Sequence, residues 1–188
     1  MSVKRLFVVL LLFVVLVSAF AYFAASSRPD AGAGKDGYAV FENAALGLKA
    51  EYPARWQTLE DVRGVAVVFH SPLESAEDRY NDNVHVIVED VSGQPGLTVD
   101  AFAERGIGKL PASLADFRLV GNKSETVSGR PARLLEYTGR RGDFQLHFLQ
   151  AVTIANGNAY LITYVAEEDS YARHLPTAQR IFASVAIK

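Results

Sequence analysis

The sequence predicts an α+β domain with a largely antiparallel β-sheet sandwiched by helices, preceded by one N-terminal transmembrane or signal helix. Three observations predict this class. Strand patterns outnumber helix patterns, and most neighbouring strands are joined by short turns, which is typical of antiparallel pairing. The clearest hairpin is apolar on both faces, so the sheet needs a covering layer on each side.

The composition is that of a folded, cysteine-free protein. Of the 188 residues, 49% are hydrophobic and 21% are charged, which excludes a low-complexity or fully disordered chain. The formal net charge is −2, so the chain lacks the positive field that nucleic-acid binding needs, and we expect no nucleic-acid partner. The absence of cysteine excludes disulfide scaffolds, zinc ribbons, thiol nucleophiles and a lipidated cysteine.

Residues 6–25 form an uncharged apolar segment that is long enough, as a helix, to cross a bilayer. Lys4 and Arg5 precede it, so the positive-inside bias predicts a cytoplasmic N-terminus and an extracytoplasmic remainder. If the segment is retained, the chain is a single-pass membrane protein with a signal anchor. Alternatively, Ala19-Phe20-Ala21 fits the small-x-small rule, and cleavage near Ala21 gives a secreted or periplasmic protein.

The remainder divides into a linker and one folded domain. Residues 26–37 are small and polar with glycine and proline, and they predict a flexible linker. Residues 38–188 carry the strand and helix patterns, and a domain of about 150 residues is large enough for one self-sufficient core.

Asn156-Gly157 is the strongest local signal, because this pair supplies the two positive φ angles of a type I′ hairpin turn. The turn joins strands over residues 144–155 and 158–166 and fixes their register. The predicted cross-strand pairs are Ile154–Ala159, Val152–Leu161 and Phe148–Val165 on one face, and Leu149–Tyr164 and Ala151–Ile162 on the other.

The other strands follow from apolar, β-branched and aromatic runs between turn residues. They are predicted at Tyr38–Glu42, Gly47–Tyr52, Val65–His70, Val84–Val91, Phe117–Val127 and Ala132–Thr138. Two helices are predicted. Thr98 caps the first, and the C-terminal helix is expected to start at or near Pro176, because proline is favoured in a first turn and disrupts a helix interior.

The order of several short motifs resembles the PsbP-like family of the Mog1/PsbP fold, which includes bacterial exported domains related to PsbP and DcrB. The motifs are Tyr52-Pro53-Ala54-Arg55-Trp56, Val68-Phe69-His70-Ser71-Pro72, Asn83-Val84-His85-Val86, the helix led by Thr98, Gly129-Arg130-Pro131-Ala132, Tyr160 to Tyr164, and Tyr171 to Ser184. The resemblance implies an antiparallel sheet sandwiched by helices, an extracytoplasmic location, and a role in binding or assembly rather than catalysis. Many bacterial relatives are lipoproteins, and this cysteine-free chain would need its N-terminal helix as the anchor instead.

Two groups of side chains are weak site candidates. The loop over residues 74–83 offers carboxylate oxygens, the ligands that calcium prefers, and Glu74, Asp78 and Asp82 are its calcium candidates, although the spacing of a calcium-binding loop is missing. A positively charged group, Arg130, Arg133, Arg140 and Arg141, surrounds one strand and its turn and is a candidate for binding an acidic partner or lipid headgroups.

The sequence contains no recognisable catalytic motif, and its four histidines lack metal-ligand spacing, so we expect no catalytic residue, metal centre or cofactor. The leading hypothesis is a non-enzymatic, membrane-anchored extracytoplasmic domain that binds an envelope or membrane protein, or assists assembly of a membrane complex. The alternative is an envelope protein that binds a small ligand or calcium, which the aromatic residues Trp56, Tyr160 and Tyr164 and the acidic loop suggest.

Overall fold

The computed structural model describes residues 37–60, 62–73, 75 and 78–188. The predicted membrane or signal helix, and the linker as far as residue 36, lie outside this part of the chain. Within the described part, no helix combines the length and the hydropathy needed to cross a membrane.

Ten strands and two α-helices make up the described fold. The strands are β1 (Tyr38–Asn43), β2 (Leu48–Pro53), β3 (Gln57–Leu59), β4 (Val67–His70), β5 (Asn83–Asp90), β6 (Ala115–Val127), β7 (Arg130–Arg141), β8 (Phe144–Ala155), β9 (Asn158–Glu167) and β10 (Ala186–Ile187). The helices are α1 (Val99–Ile107) and α2 (Tyr171–Ser184). The predicted α+β class is therefore confirmed.

The strands form two antiparallel sheets rather than the single sheet that the sequence predicted. Seven strands run in the order β3-β4-β5-β9-β8-β7-β6, and β1-β2-β10 form a second, three-stranded sheet. The second sheet packs through β2 against α2 and so shares with that helix the covering of one face of the large sheet. Sequence patterns missed β3 and β10, because two or three residues are too few to show a period.

The central hairpin has the predicted geometry. Asn156 and Gly157 adopt φ angles of 52° and 75°, as a type I′ turn requires. All five predicted cross-strand pairs are present in the β8–β9 register. Both faces of this hairpin are buried, in two separate apolar clusters, which confirms that the sheet is covered on each side.

Helix α1 covers one face of the sheet and begins as predicted. The Thr98 hydroxyl accepts a hydrogen bond from the Ala101 amide at 3.2 Å, which satisfies a backbone donor of the first turn. Phe102 packs into the apolar cluster that contains Leu135, Val152 and Leu161. The next residue of the helix, Ala103, is also buried.

The predicted start of the C-terminal helix is wrong. Helix α2 begins at Tyr171 and contains Pro176 in its interior. Proline there removes one backbone hydrogen bond, but tertiary contacts hold the first turn. The Tyr164 hydroxyl donates to the Tyr171 carbonyl at 2.8 Å, and the Tyr171 ring stacks on His147 at 3.6 Å between centroids.

Candidate functional site

The described residues between β4 and β5 are 71–73, 75 and 78–82. The side-chain amide of Asn81 donates a hydrogen bond to the Ser71 carbonyl at 2.7 Å, and the backbone amide of Ser71 donates one to the Asp82 carbonyl at 2.8 Å. These two hydrogen bonds hold the start and the end of the segment together. Tyr80 is buried and packs against Phe144, with ring centroids 5.2 Å apart. The acidic loop over residues 74–83 is therefore anchored in the core over its last residues.

Asp82 joins this segment to the start of α2. Its carboxylate lies 3.0 Å from Nδ1 of His174 and accepts a hydrogen bond from the Ser170 hydroxyl at 3.2 Å. The side chain is almost fully buried. Burial raises the pKa of the Asp82 carboxyl, and the contacts with His174 and Ser170 act in the opposite direction.

A second polar contact supports the same helix start. His147 Nε2 lies 2.8 Å from the Glu136 carboxylate, and the His147 ring stacks on Tyr171. Burial, followed by the nearby negative charge of Glu136, raises the pKa of the Tyr171 hydroxyl, so this phenol stays neutral. The start of α2 is thus held by Asp82 of the β4–β5 segment and by His147 of β8, which Glu136 of β7 orients.

An open cleft of about 520 Å³ lies beside this junction, and we call it the acidic cleft. It is lined by Ser71, Asp78, Asp82, Asp143, Gln145, Glu167, Glu168, Asp169, Ser170 and Arg173. Six of these side chains are carboxylates and one is a guanidinium. A concave site with this imbalance attracts positively charged groups.

The carboxylates of the acidic cleft repel one another. Partial burial raises the pKa of Glu167, the negative charges of Asp78 and Asp82 raise it further, and the nearby Arg79 guanidinium acts in the opposite direction. Because a bound cation relieves this repulsion, the cleft is suited to a lysine, an arginine or another cationic group.

Two of the predicted calcium candidates, Asp78 and Asp82, line this cleft. The Asp82 carboxylate is already engaged by His174 and Ser170, and Asp78 accepts a hydrogen bond from the Tyr80 amide at 3.0 Å. Glu74 lies outside the described residues. Among the residues that the structure describes, no three or more acidic, histidine or cysteine side chains are placed to hold a metal ion.

The four arginines predicted as one basic group are divided between the two ends of β7. About 24 Å of extended strand separates Arg133 from Arg140. Arg133 lies 3.6 Å from Asp100 and donates to the Asn122 side chain, while Arg140 pairs with Asp116 at 3.0 Å. Arg130 is half-buried at the start of the strand. They do not form a common basic surface.

The aromatic residues that suggested a ligand site belong to the core. Trp56, Tyr160 and Tyr164 are all buried, and none of them lines the acidic cleft. The Tyr160 hydroxyl donates to the Leu46 carbonyl at 2.8 Å, so this ring joins the two sheets. The Trp56 ring packs edge-on against the ring of His174, the residue that contacts Asp82.

Most of the acidic cleft was missed by sequence reasoning, because its members come from separate parts of the chain. Asp143 is the last residue of the β7–β8 turn, and the run Glu167-Glu168-Asp169 starts at the last residue of β9. Beyond Asp78 and Asp82 of the acidic loop, the local signal for the cleft was that acidic run, placed between a buried strand and a helix.

Comparison with known proteins defines the family of this fold. The PsbP family model matches residues 36–187, nearly the whole described domain. The chain belongs to the PsbP family. The resemblance inferred from short motifs is therefore confirmed.

Several solved structures share the fold. Cyanobacterial PsbP (CyanoP) from Synechocystis sp. PCC 6803 is 21% identical, with a TM-score of 0.64 over 84% of this chain and 96% of that one. PA94 from Pseudomonas aeruginosa, described as a protein of unknown function and putative regulator, is 14% identical, with a TM-score of 0.59 over 80% and 97%. LpqN from Mycobacterium tuberculosis, described as involved in cell envelope biogenesis, is 14% identical, with a TM-score of 0.57 over 75% and 83%. A comparison with curated protein sequences gave no match.

Proposed function

We propose that this PsbP-family protein is a non-enzymatic, membrane-anchored extracytoplasmic domain that binds an envelope or membrane protein through the acidic cleft. The observation that carries the proposal is the cleft itself, an open concavity with six carboxylates against one guanidinium. The partner is expected to present a segment rich in lysine or arginine, because such a segment neutralises the cleft without a metal ion.

The sequence supports the anchoring part of the proposal. Residues 6–25 are apolar and follow Lys4 and Arg5, and residues 26–37 are long enough to separate the folded domain from a membrane surface. LpqN, which shares the fold, is described as a protein of cell envelope biogenesis, and this description is consistent with an envelope role here.

The proposal is tested by crosslinking intact cells and recovering the tagged full-length chain from detergent-solubilised membranes. A double variant, Glu168→Gln with Asp169→Asn, removes two exposed charges of the cleft. The matched control is Glu51→Gln with Glu104→Gln, which removes two exposed charges elsewhere. We expect the unmodified chain and the control to recover the same partner in near-stoichiometric amount, and the cleft variant to lose it.

Recovery of no partner by the unmodified chain counts against the proposed function. Equal recovery by the cleft variant and the control excludes the acidic cleft as the contact surface.

Calcium is the second candidate ligand, because Asp78 and Asp82 line the same cleft, although among the described residues they are not part of a group placed to hold a metal ion. A ligand that binds only the native state raises the melting temperature. Calcium at millimolar concentration should therefore stabilise the unmodified chain but not an Asp78→Asn variant. No rise for the unmodified chain excludes this candidate.

A further inference from the structure

Strand β6 forms one edge of the seven-stranded sheet and is its longest strand, with 13 residues. Residues 122–126 are all exposed, and α1 packs on β7 and β8 rather than over this stretch. At the opposite edge, β3 has only three residues. An uncovered edge of this length is a template for pairing with another strand.

Over residues 122–126, the backbone groups of β6 that do not pair with β7 point outward at the even-numbered positions. Thr126 stands opposite Pro131, which has no amide hydrogen, and the Pro131 carbonyl accepts from Thr153 on β8 at 2.8 Å. The Thr126 amide instead donates to the carboxylate of its neighbour Glu125 at 3.0 Å. Since amide directions alternate along a strand, the backbone groups of Asn122 and Ser124 point towards the same edge as those of Thr126. The Asn122 carbonyl there also accepts a hydrogen bond from the Arg133 guanidinium at 3.4 Å, and a carbonyl oxygen has a second lone pair for a strand partner.

The charged side chains of residues 122–126 are complementary between two antiparallel copies of the strand. Lys123 and Glu125 lie on the same face of β6, on either side of Ser124. If a second copy pairs antiparallel about a twofold axis at Ser124, each Lys123 lies directly opposite the Glu125 of the other copy. Registers centred on Lys123 or on Glu125 place like charges opposite each other, so the charge pattern selects the Ser124 register.

We propose that β6 is a self-association edge, at which two copies pair antiparallel through residues 121–127 with Ser124 on the twofold axis. The pairing joins two seven-stranded sheets into one continuous sheet, with the helices of both copies on matching faces. Asn122 pairs with Thr126 of the second copy, whose amide exchanges the Glu125 carboxylate for a backbone carbonyl. The register irregularity between Leu119 and Gly121 ends the paired stretch and brings the exposed Val120 opposite the Ser128-Gly129 turn of the second copy.

The absence of cysteine allows single-cysteine crosslinking of the full-length chain in membranes and in detergent. In the proposed register, Ser124→Cys places two thiols across one strand pair, within the Cα separation that a disulfide bridges. Thr126→Cys places them four residues apart, about 14 Å, which is too far. Mixing Thr126→Cys with Asn122→Cys brings the thiols opposite each other again.

We expect mild oxidation to link Ser124→Cys and the mixed pair, and to leave Thr126→Cys alone unlinked. Equal linking at Ser124 and Thr126 indicates random collision and overturns the proposal, as does the absence of linking at Ser124.

A charge exchange in the Ser124→Cys background tests the register. Lys123→Glu alone faces Glu125 of the other copy, and Glu125→Lys alone faces Lys123, so each single change should reduce the linking rate severalfold. The double exchange, and a mixture of the two single variants, should restore it. If neither restores linking, the proposal is overturned. The thermal melting curve followed by the fluorescence of the single tryptophan, Trp56, verifies that each variant is folded.

Discussion

Removing the Asp82 carboxylate tests whether this buried contact holds the start of α2 against the loop between β4 and β5. In Asp82→Ala, His174 and Ser170 lose an acceptor at 3.0 and 3.2 Å, and the lost carboxylate is an almost fully buried one. Breaking a buried, hydrogen-bonded pair by removing one partner costs about 3 kcal/mol. For a domain of about 150 residues, this loss lowers the melting temperature by about 6–12 °C.

The assay is thermal unfolding of the full chain in detergent, followed by the fluorescence of Trp56, whose ring contacts His174 at 5.6 Å. Asp143→Asn is the matched control, because Asp143 lines the same cleft but is exposed, and its melting temperature should change by less than about 2 °C. In a double-mutant cycle, Asp82→Ala and His174→Ala should be non-additive by about 1 kcal/mol or more. If the melting temperature of Asp82→Ala lies within about 2 °C of that of the unmodified chain, the structural role of this contact is refuted.

Two further predictions follow from buried positions. Burial lowers the pKa of His85 to about 4. The free energy of unfolding should therefore fall by up to about 3 kcal/mol as the pH falls from 6.5 towards 4, because the unfolded chain binds a proton that the folded domain does not. In urea unfolding, His85→Gln should make the free energy of unfolding less dependent on pH over this range. An unchanged slope contradicts the burial of a neutral imidazole. Gly47 has a φ of 60°, and an added Cβ lies 2.9 Å from the Lys188 carbonyl, so Gly47→Ala should cost about 2 kcal/mol. Gly129→Ala, with a φ of 70° but nothing within 4 Å, should cost only about 1 kcal/mol in the same titration, and equal losses contradict the steric argument.

The parts of the fold that the sequence predicted well are those fixed by local chemistry. Asn156-Gly157 permits a single tight turn, and a two-residue turn determines every pair of the hairpin that it closes. Thr98 likewise fixes the first turn of α1 through its own side chain.

The parts that were missed depend on contacts between distant residues. The position of Pro176 favours a helix start, but the contacts of Tyr171 with His147 and Tyr164 extend the helix one and a half turns earlier. Asp82 looks like any other acidic loop residue in the sequence. Its burial follows from His174, which lies 92 residues away.

The candidate site illustrates the same limit. The sequence grouped four arginines because they are close along the chain, but an extended strand of 12 residues carries them to opposite ends. The acidic cleft, by contrast, collects side chains from the β4–β5 segment, the β7–β8 turn and the end of β9. Only the order of strands in the sheet brings those segments together.

The central claim is that the acidic cleft is the surface that contacts a protein partner, and site-specific photocrosslinking in intact cells tests it most directly. A photoreactive amino acid replaces Glu168, an exposed residue of the cleft, or Val40, an exposed residue of β1 in the other sheet. The proposal predicts one discrete adduct from position 168 that is lost when Asp169→Asn and Glu167→Gln are added, and no such adduct from position 40. The same adduct from both positions, or none from position 168, contradicts it.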